Sequence, residues 1–239
     1  MWELENFGLG DMVELGAALR RLGTEYATME ALGHAVSQYL YGNLADREGR
    51  PALALARFFK THAYEGLPPD LQESAARMLQ PEAPWGSLTC LTLLGTTGDH
   101  SDWNQRQTSR GHQSIPLRSR DFVAGAPMVT ALAHQLGIGL EELVEPRPEL
   151  FLEHANGTFN VFHVEDAIGS PIVPAQEQFV VPYGVRSVLG VGGVLPTGEI
   201  FAVILFSKCT IPAAVAPLFK PLALNLRTAV LRVSGRVFA

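Results

Sequence analysis

Cysteine is scarce in this sequence of 239 residues. Cys90 and Cys209 are the only two, and they are far apart along the chain. They supply neither a disulfide framework nor the paired spacing of a zinc ribbon, so a reducing compartment is predicted. The sequence also has no apolar run long enough to span a bilayer, and its opening segment MWELENFGLGDM is acidic where a signal peptide would be basic. These absences favour a cytoplasmic protein.

Positive charge is also in short supply. The 18 Lys and Arg residues are outnumbered by 24 Asp and Glu, for a net charge of -6. Such a chain has no diffuse attraction to phosphate backbones or anionic lipid, so neither nucleic acid nor a membrane is predicted as a partner. Hydrophobic residues make up 47% of the chain, with 23 Gly and 16 Pro. This composition indicates a folded, loop-bearing domain rather than a disordered chain or one long helix.

Motifs of common catalytic and metal sites are missing. The sequence contains no GxSxG elbow, no GK[ST] phosphate loop, no HExxH and no EF-hand loop. A GxGG stretch ends at Gly193, but a strand rather than a helix is predicted after it, so no helix N-terminus is present to bind a pyrophosphate. His154 and His163 flank a predicted turn and would lie about 13 Å apart along the paired strands, too far to share one metal. No metal site is predicted.

The first 45 residues carry an apolar spacing of three and four that is typical of helices. Gly23 and Thr24 interrupt it, which predicts two helices at about 11–22 and 28–45, or one helix weakened at this joint. The spacing leaves two interpretations open: the stripe packs against this chain's own sheet, or it pairs with a second copy in a parallel dimer. The stripe consists of Met12, Leu15, Leu19, Leu22, Tyr26, Met29, Gly33, Val36 and Leu40.

The remaining patterns alternate between strands and helices. SLTCLTLLGTT is an apolar, β-branched strand candidate, and Asn156-Gly157 is the dipeptide of a two-residue hairpin turn. A second hairpin is predicted in VRSVLGVGGVLPTGEIFAVILFS, with its turn at 196–199. One helix is predicted from about 119 or 121 to 136, with Gly137 as a stop signal.

The chain closes with a helix whose stripe is Leu218, Leu222, Leu226 and Val230. Pro217 and Pro221 predict that its regular part begins late. This order of elements predicts an α+β fold, with a mostly antiparallel central sheet and the N- and C-terminal helices packed on one face.

The pattern from Tyr183 onward, YGVRSVLGVGGVLPTGEIFAVILFS followed by a terminal helix, resembles the last third of a GAF domain. The whole chain is similar to N-terminal sensory segments of bacterial histidine kinases. The resemblance implies an N-terminal helical extension at 1–27 and a GAF-like sensor domain at 28–239. It further implies a small molecule, chromophore or metal centre bound on the sheet face away from the terminal helices, and signalling through parallel dimeric helices.

Two long polar connections would cross that open face in a GAF-like fold. Trp103 and Tyr183 could enclose a ligand there, while Arg106 or Arg110 binds an anionic or carbonyl group. The alternative is that these are ordinary solvated loop residues, with Trp103 pinning its loop to the core. The candidate ligand-binding residues are Trp103, Asn104, Arg106, Arg110 and His112 from the first connection, and His163, Ser170, Gln176 and Tyr183 from the second.

These observations predict a cytoplasmic, non-enzymatic signal-sensing module that binds a small molecule and acts as a homodimer. With no kinase or cyclase signature, its output would pass to a partner such as a histidine kinase; the cofactor, if any, is not defined. One alternative is a thiol-dependent redox enzyme using Cys90 or Cys209, since some GAF-fold enzymes reduce free methionine sulfoxide, although their clustered cysteines are missing here. Another is a structural dimerisation module, which a sheet face filled with side chains would favour.

Overall fold

The computed structural model describes residues 1–79, 88–109, 111–149 and 160–238. Its centre is a six-stranded sheet in the order β5-β4-β3-β8-β7-β6, in which every neighbouring pair is antiparallel. The strands of this sheet are β3 (Leu53–Ala63), β4 (Thr89–Gly98), β5 (Ser114–Pro116), β6 (Val161–Val164), β7 (Ser187–Val194) and β8 (Ile200–Ser207). A separate short parallel pair joins β1 (Trp2–Glu3) to β2 (Leu44–Ala45).

Three helices cover one face of the sheet. They are α1 (Leu9–Leu22), α2 (Met29–Asn43) and α7 (Lys220–Arg232), and their apolar stripes share one core with the sheet. Thr28 caps α2 by accepting a hydrogen bond from the backbone N–H of Ala31 at 3.2 Å. The predicted α+β fold, with N- and C-terminal helices on one face of an antiparallel sheet, is confirmed.

The N-terminal apolar stripe is buried within the chain. Leu15 and Leu19 of α1 are fully buried and belong to the same core as Leu222 and Leu226 of α7. Val13, on the outer side of α1, is 62% exposed. The α2 part of the stripe packs on β3 and β4, as in the first interpretation, whereas the α1 part packs on α7 of the same chain. The homodimer stays a prediction.

The opposite face of the sheet is covered by shorter pieces. These are α4 (Arg120–Ala124), α5 (Pro127–Leu136) and α6 (Leu140–Val144), together with the segment 165–185. The prediction of one helix up to Leu136 is wrong, because the chain breaks at 125–126 and restarts with Pro127 in the first turn of α5. Proline suits a first turn, where its missing N–H is not needed, but not a helix interior. Gly137 ends α5, as predicted, and it adopts the left-handed conformation (φ 79).

The second predicted hairpin is confirmed as β7 and β8, which pair from Ser187 with Ser207 to Val194 with Ile200. The Asn156-Gly157 turn lies outside the described residues, although β6 does pair with β7. A 3-10 turn precedes α7, so the last helix begins late, as expected from its prolines. The helix α3 (Pro69–Met78) connects β3 towards β4. In the described part of the chain, every helix is too short or too polar to cross a membrane.

Candidate functional site

The sheet face opposite the terminal helices is hollow at its centre. A cavity of about 630 Å³ lies there between β3, β4 and β8 on one side and α5 and the segment 171–179 on the other. Small-molecule sites in proteins typically measure about 300–1,000 Å³, so the space suits a ligand. The described residues that line it are Leu55, Arg57, Phe59, Met78, Leu91, Trp103, Gly111, His112, Ile115, Gly125, Ala126, Pro127, Met128, Val129, Leu132, Pro171, Ile172, Pro174, Ala175, Phe179, Ile204 and Phe206.

The break between α4 and α5 shapes one wall of this cavity. Gly125 and Ala126, which form the break, and Pro127, which opens α5, all line the space. A continuous helix would place ordinary helical side chains there instead. The local signal, a proline two residues after a glycine, was present in the sequence.

An aromatic cluster forms a second wall. The ring of Trp103 lies 4.5 Å from that of Tyr183 and 5.4 Å from that of Phe179, measured between ring centroids. Phe179 in turn meets Phe206 of β8 edge-to-face at 5.0 Å. Trp103, Phe179 and Phe206 line the cavity, whereas Tyr183 packs behind Trp103. The cluster holds Trp103 in place through contacts of the kind that aromatic pairs prefer.

Arg57 brings a positive charge into this apolar space. It lies in the middle of β3 and is 8% exposed. Its Nη2 donates to Ser109 Oγ at 3.1 Å and its Nη1 to the Gly111 carbonyl at 3.4 Å. Its Nε is buried and has no hydrogen-bond partner among the described residues. Burial lowers the pKa of Arg57 to about 10, which leaves the side chain charged at neutral pH.

His112 stands beside Arg57 at the cavity rim. Its backbone has φ 57 and follows Gly111 with φ 92, so two successive residues adopt the left-handed conformation. For a histidine this conformation carries strain of about 1–3 kcal/mol. Desolvation, and then the neighbouring charge of Arg57, lower the pKa of His112. The imidazole is therefore neutral at pH 7.

Two of the residues predicted in the first connection, Asn104 and Arg106, make structural contacts away from the cavity. Asn104 Oδ1 accepts from the Gly98 N–H at 3.0 Å, which ties the loop to the end of β4. Arg106 is 7% exposed and donates at 2.6 Å to both Glu30 and Asp70. Burial alone would lower the pKa of Arg106, but hydrogen bonds and charges from the two carboxylates raise it. Arg110 lies outside the described residues.

The predicted residues of the second connection hold their own segment together. Gln176 donates to the carbonyls of Ala167 and Val173 at 2.9 and 2.8 Å, which holds the stretch that contributes residues 171, 172, 174 and 175 to the cavity lining. Ser170 Oγ accepts from the Ile172 N–H. His163 Nε2 lies 2.9 Å from the Ile211 carbonyl and is absent from the cavity lining.

Among the lining residues that were not predicted from the sequence, Arg57 is the charged one. Its signal is visible in hindsight: an arginine interrupts the apolar run LALARFF of a strand buried along nearly its whole length. Burying an unpaired charge is costly. A charged residue in such a strand therefore indicates either an ion pair, as Lys60 forms with Glu199, or a ligand-binding site.

The two thiols lie away from the cavity lining. Cys90 is fully buried in a small cluster with Leu67, Leu71 and Ala75. Burial raises the pKa of Cys90 to about 11, and burial likewise raises that of Cys209. Both environments disfavour the thiolate, which is the reactive form. Within the described ranges, no three His, Cys, Asp or Glu side chains are grouped to hold a metal ion.

The fold is GAF-like, an α+β domain with a cavity on the sheet face away from its terminal helices. A free methionine-R-sulfoxide reductase from Neisseria meningitidis, solved with its substrate, is similar in structure, with a TM-score of 0.51, 12% identity and 98% of each chain covered. A GAF domain of a phosphoenolpyruvate-protein phosphotransferase from Coxiella burnetii aligns with a TM-score of 0.46 and 12% identity, covering 95% of this chain and 97% of that one.

A type II free methionine-R-sulfoxide reductase from Thermoplasma acidophilum aligns with a TM-score of 0.39 and 15% identity, covering 92% of this chain and 99% of that one. No family model matches the chain, and no curated protein matches it in sequence. The comparison with the Neisseria enzyme contradicts the prediction that the chain is not an enzyme, because the fold is shared with one. The absence of familiar catalytic motifs was insufficient ground for that prediction.

Proposed function

We propose that this chain is a ligand-binding module whose cavity takes up a small, largely apolar molecule and reports its presence to the terminal helices. The observation that carries the proposal is the cavity itself, an open space of about 630 Å³ lined almost entirely by apolar side chains. Covering apolar surface of this kind with a ligand removes it from water, which favours binding by about 25 cal/mol per Å². A sheet face filled with side chains, as a purely structural module would have, offers no such gain.

The sheet gives a direct route from the cavity to the helices. Arg57 lines the cavity, while the next residue, Phe58, lies in the core beneath the helical layer. A Cβ built on Gly33 of α2 would lie 3.4 Å from Phe58 Cγ. A ligand that binds one arrangement of β3 more tightly than another would shift the equilibrium between the two corresponding helix arrangements. The difference in binding free energy sets the size of that shift. Homodimerisation and a histidine-kinase partner belong to this proposal as its output stage.

Binding is tested with N-phenyl-1-naphthylamine, an uncharged apolar fluorophore. Wild-type protein should show saturable binding, and Val129→Trp, which places an indole in the cavity wall, should weaken it at least about tenfold because the space is filled. The matched control is Leu231→Trp, at a 40% exposed position of α7 in the opposite layer. Equal affinity in the wild type and Val129→Trp would refute the proposal.

Variants of the two cysteines distinguish the thiol-dependent redox enzyme from the proposed ligand-binding module. Cys90 and Cys209 lie outside the cavity lining, and the pKa of each is raised. In a double Cys90→Ser, Cys209→Ser variant we expect unchanged binding of the fluorophore. Reduction of free methionine-R-sulfoxide by the wild type, lost in this double variant, would favour the redox alternative instead.

A further inference from the structure

The cavity contains a cation, Arg57, that has no counterion among the residues the structure describes. Arg57 is 8% exposed, and its hydrogen bonds go to two neutral acceptors, Ser109 Oγ at 3.1 Å and the Gly111 carbonyl at 3.4 Å. In the described ranges no carboxylate forms an ion pair with it, and its buried Nε has no partner. Burying a charge without a counterion costs several kcal/mol, so a buried guanidinium normally has an acidic partner.

Arg106 shows how this chain treats a buried arginine that has a structural role. It is buried to nearly the same extent, 7% exposed, yet it donates at 2.6 Å to carboxylates on two different helices, Glu30 of α2 and Asp70 of α3. Among the residues that the structure describes, Arg106 therefore has its counterions and Arg57 has none, as expected of an arginine that binds a ligand.

The surroundings of Arg57 favour a single negative charge on that partner. No Asp or Glu occurs among the described lining residues, so nothing there repels an anion. His112 at the rim is neutral at pH 7, for the reasons given above, which leaves Arg57 as the one charged side chain of the described lining. A guanidinium has five N–H donors, and two are used by Ser109 and Gly111.

We infer that the ligand of this cavity is an apolar organic acid, whose carboxylate accepts hydrogen bonds from Arg57 while its hydrocarbon body fills the space lined by residues such as Phe59, Met128 and Leu132. This inference rests on the proposed function. A carboxylate matches the planar, forked donor geometry of arginine, and it brings one negative charge to one positive charge. A phosphate dianion would leave its second charge without a partner in the described lining.

The test compares two competitors of equal chain length, decanoate and 1-decanol, for displacement of N-phenyl-1-naphthylamine. Because charge-assisted hydrogen bonds are stronger than neutral ones, wild-type protein should bind decanoate about 10- to 150-fold more tightly than decanol, which corresponds to about 1.5–3 kcal/mol. In Arg57→Met this preference should disappear, with decanol affinity nearly unchanged. The matched control is Arg50→Met, which removes the same charge from a side chain that is 70% exposed.

The outcomes of this test distinguish a failure of the proposed function from a failure of the organic-acid inference. If the fluorophore does not bind saturably, the proposed function fails; if it binds but decanoate and decanol compete equally, only the organic-acid inference fails. Retention of the decanoate preference in Arg57→Met also overturns the inference.

A measurement without dye or variant gives a further check, since decanoate should raise the thermal unfolding midpoint of the wild type more than decanol at equal concentration. A second comparison uses the variant without any ligand. Arg57→Met should then unfold at a higher temperature than the wild type, because it no longer buries an uncompensated charge. Equal shifts from the two competitors would contradict the inference even if Arg57→Met failed to fold.

Discussion

Several titratable side chains of this protein are buried where their charged forms are costly, and His62 is a clear case at the scale of one residue. It is 7% exposed, its Nδ1 lies 3.4 Å from Lys60 Nζ, and its ring packs against Phe238 at 5.5 Å. Its Nε2 is buried and finds no hydrogen-bond partner within the ranges that the structure describes. Burial, and then the charge of Lys60, lower the pKa of His62 to about 3.

This shift makes stability depend on pH in a defined direction. The unfolded chain, with a histidine pKa of about 6.5, binds a proton that the folded protein excludes. Stability is therefore full above pH 6.5 and falls by up to about 1.4 kcal/mol per pH unit below it, down to pH 3. Urea denaturation at pH 7.5 and 5.5 should show about 1 kcal/mol more loss in the wild type than in His62→Phe. Identical losses would contradict the assigned pKa.

Lys60 provides a second residue-scale prediction. Its side chain is 1% exposed and pairs at 2.7 Å with Glu199, whose side chain is 34% exposed. Glu199→Gln leaves the buried ammonium without its carboxylate and should destabilise the fold by about 2–4 kcal/mol, whereas Lys60→Met removes the charge and should cost less. The free energies of unfolding from urea titrations decide the order. A larger loss in Lys60→Met would mean that Lys60 packing outweighs its charge.

At the scale of elements, α2 packs directly on β4 at the point where Gly33 of the helix faces Gly95 of the strand. A Cβ on Gly95 of β4 would come within 2.1 Å of the backbone of Gly33 in α2. No side chain can be accommodated there unless the helix moves, so a side chain at this strand position separates the two layers.

Gly95→Ala should therefore lower the free energy of unfolding by about 3 kcal/mol. The matched control is Gly42→Ala, also in α2, where a Cβ meets nothing within 4 Å and the position is exposed. There alanine should stabilise the helix by about 0.5–1 kcal/mol. Both values come from urea denaturation, and a neutral Gly95→Ala would show that α2 is free to shift on the sheet.

At the scale of the whole molecule, the two layers share a single sheet whose opposite faces carry the helical core and the cavity. We therefore expect one cooperative unfolding transition in calorimetry. Saturating N-phenyl-1-naphthylamine at 100 times its dissociation constant should stabilise the fold by about 2.7 kcal/mol and raise that single transition. Val129→Trp should remove the effect. Two transitions, of which only one responds to the ligand, would argue against coupling between the cavity and the terminal helices.

Local patterns in the sequence determined most of the architecture. The strands β7 and β8, the late start of α7, the end of α5 at Gly137 and the α+β class all follow from short-range spacing, because turns, caps and apolar periods act over a few residues. The exception is the break before Pro127, where a proline signal was overlooked in favour of a longer apolar stripe.

Only the tertiary structure decided how the charges are used. Arg106, predicted at the ligand site, pairs with Glu30, 76 residues away in the sequence. Arg57, in an apolar strand, lines the cavity and has no counterion in the described part of the chain. The sequence shows that both arginines exist but not which carboxylates reach them. Partners in a folded chain are set by packing between distant segments, and the cost of burying a charge exists only once that packing has removed the water.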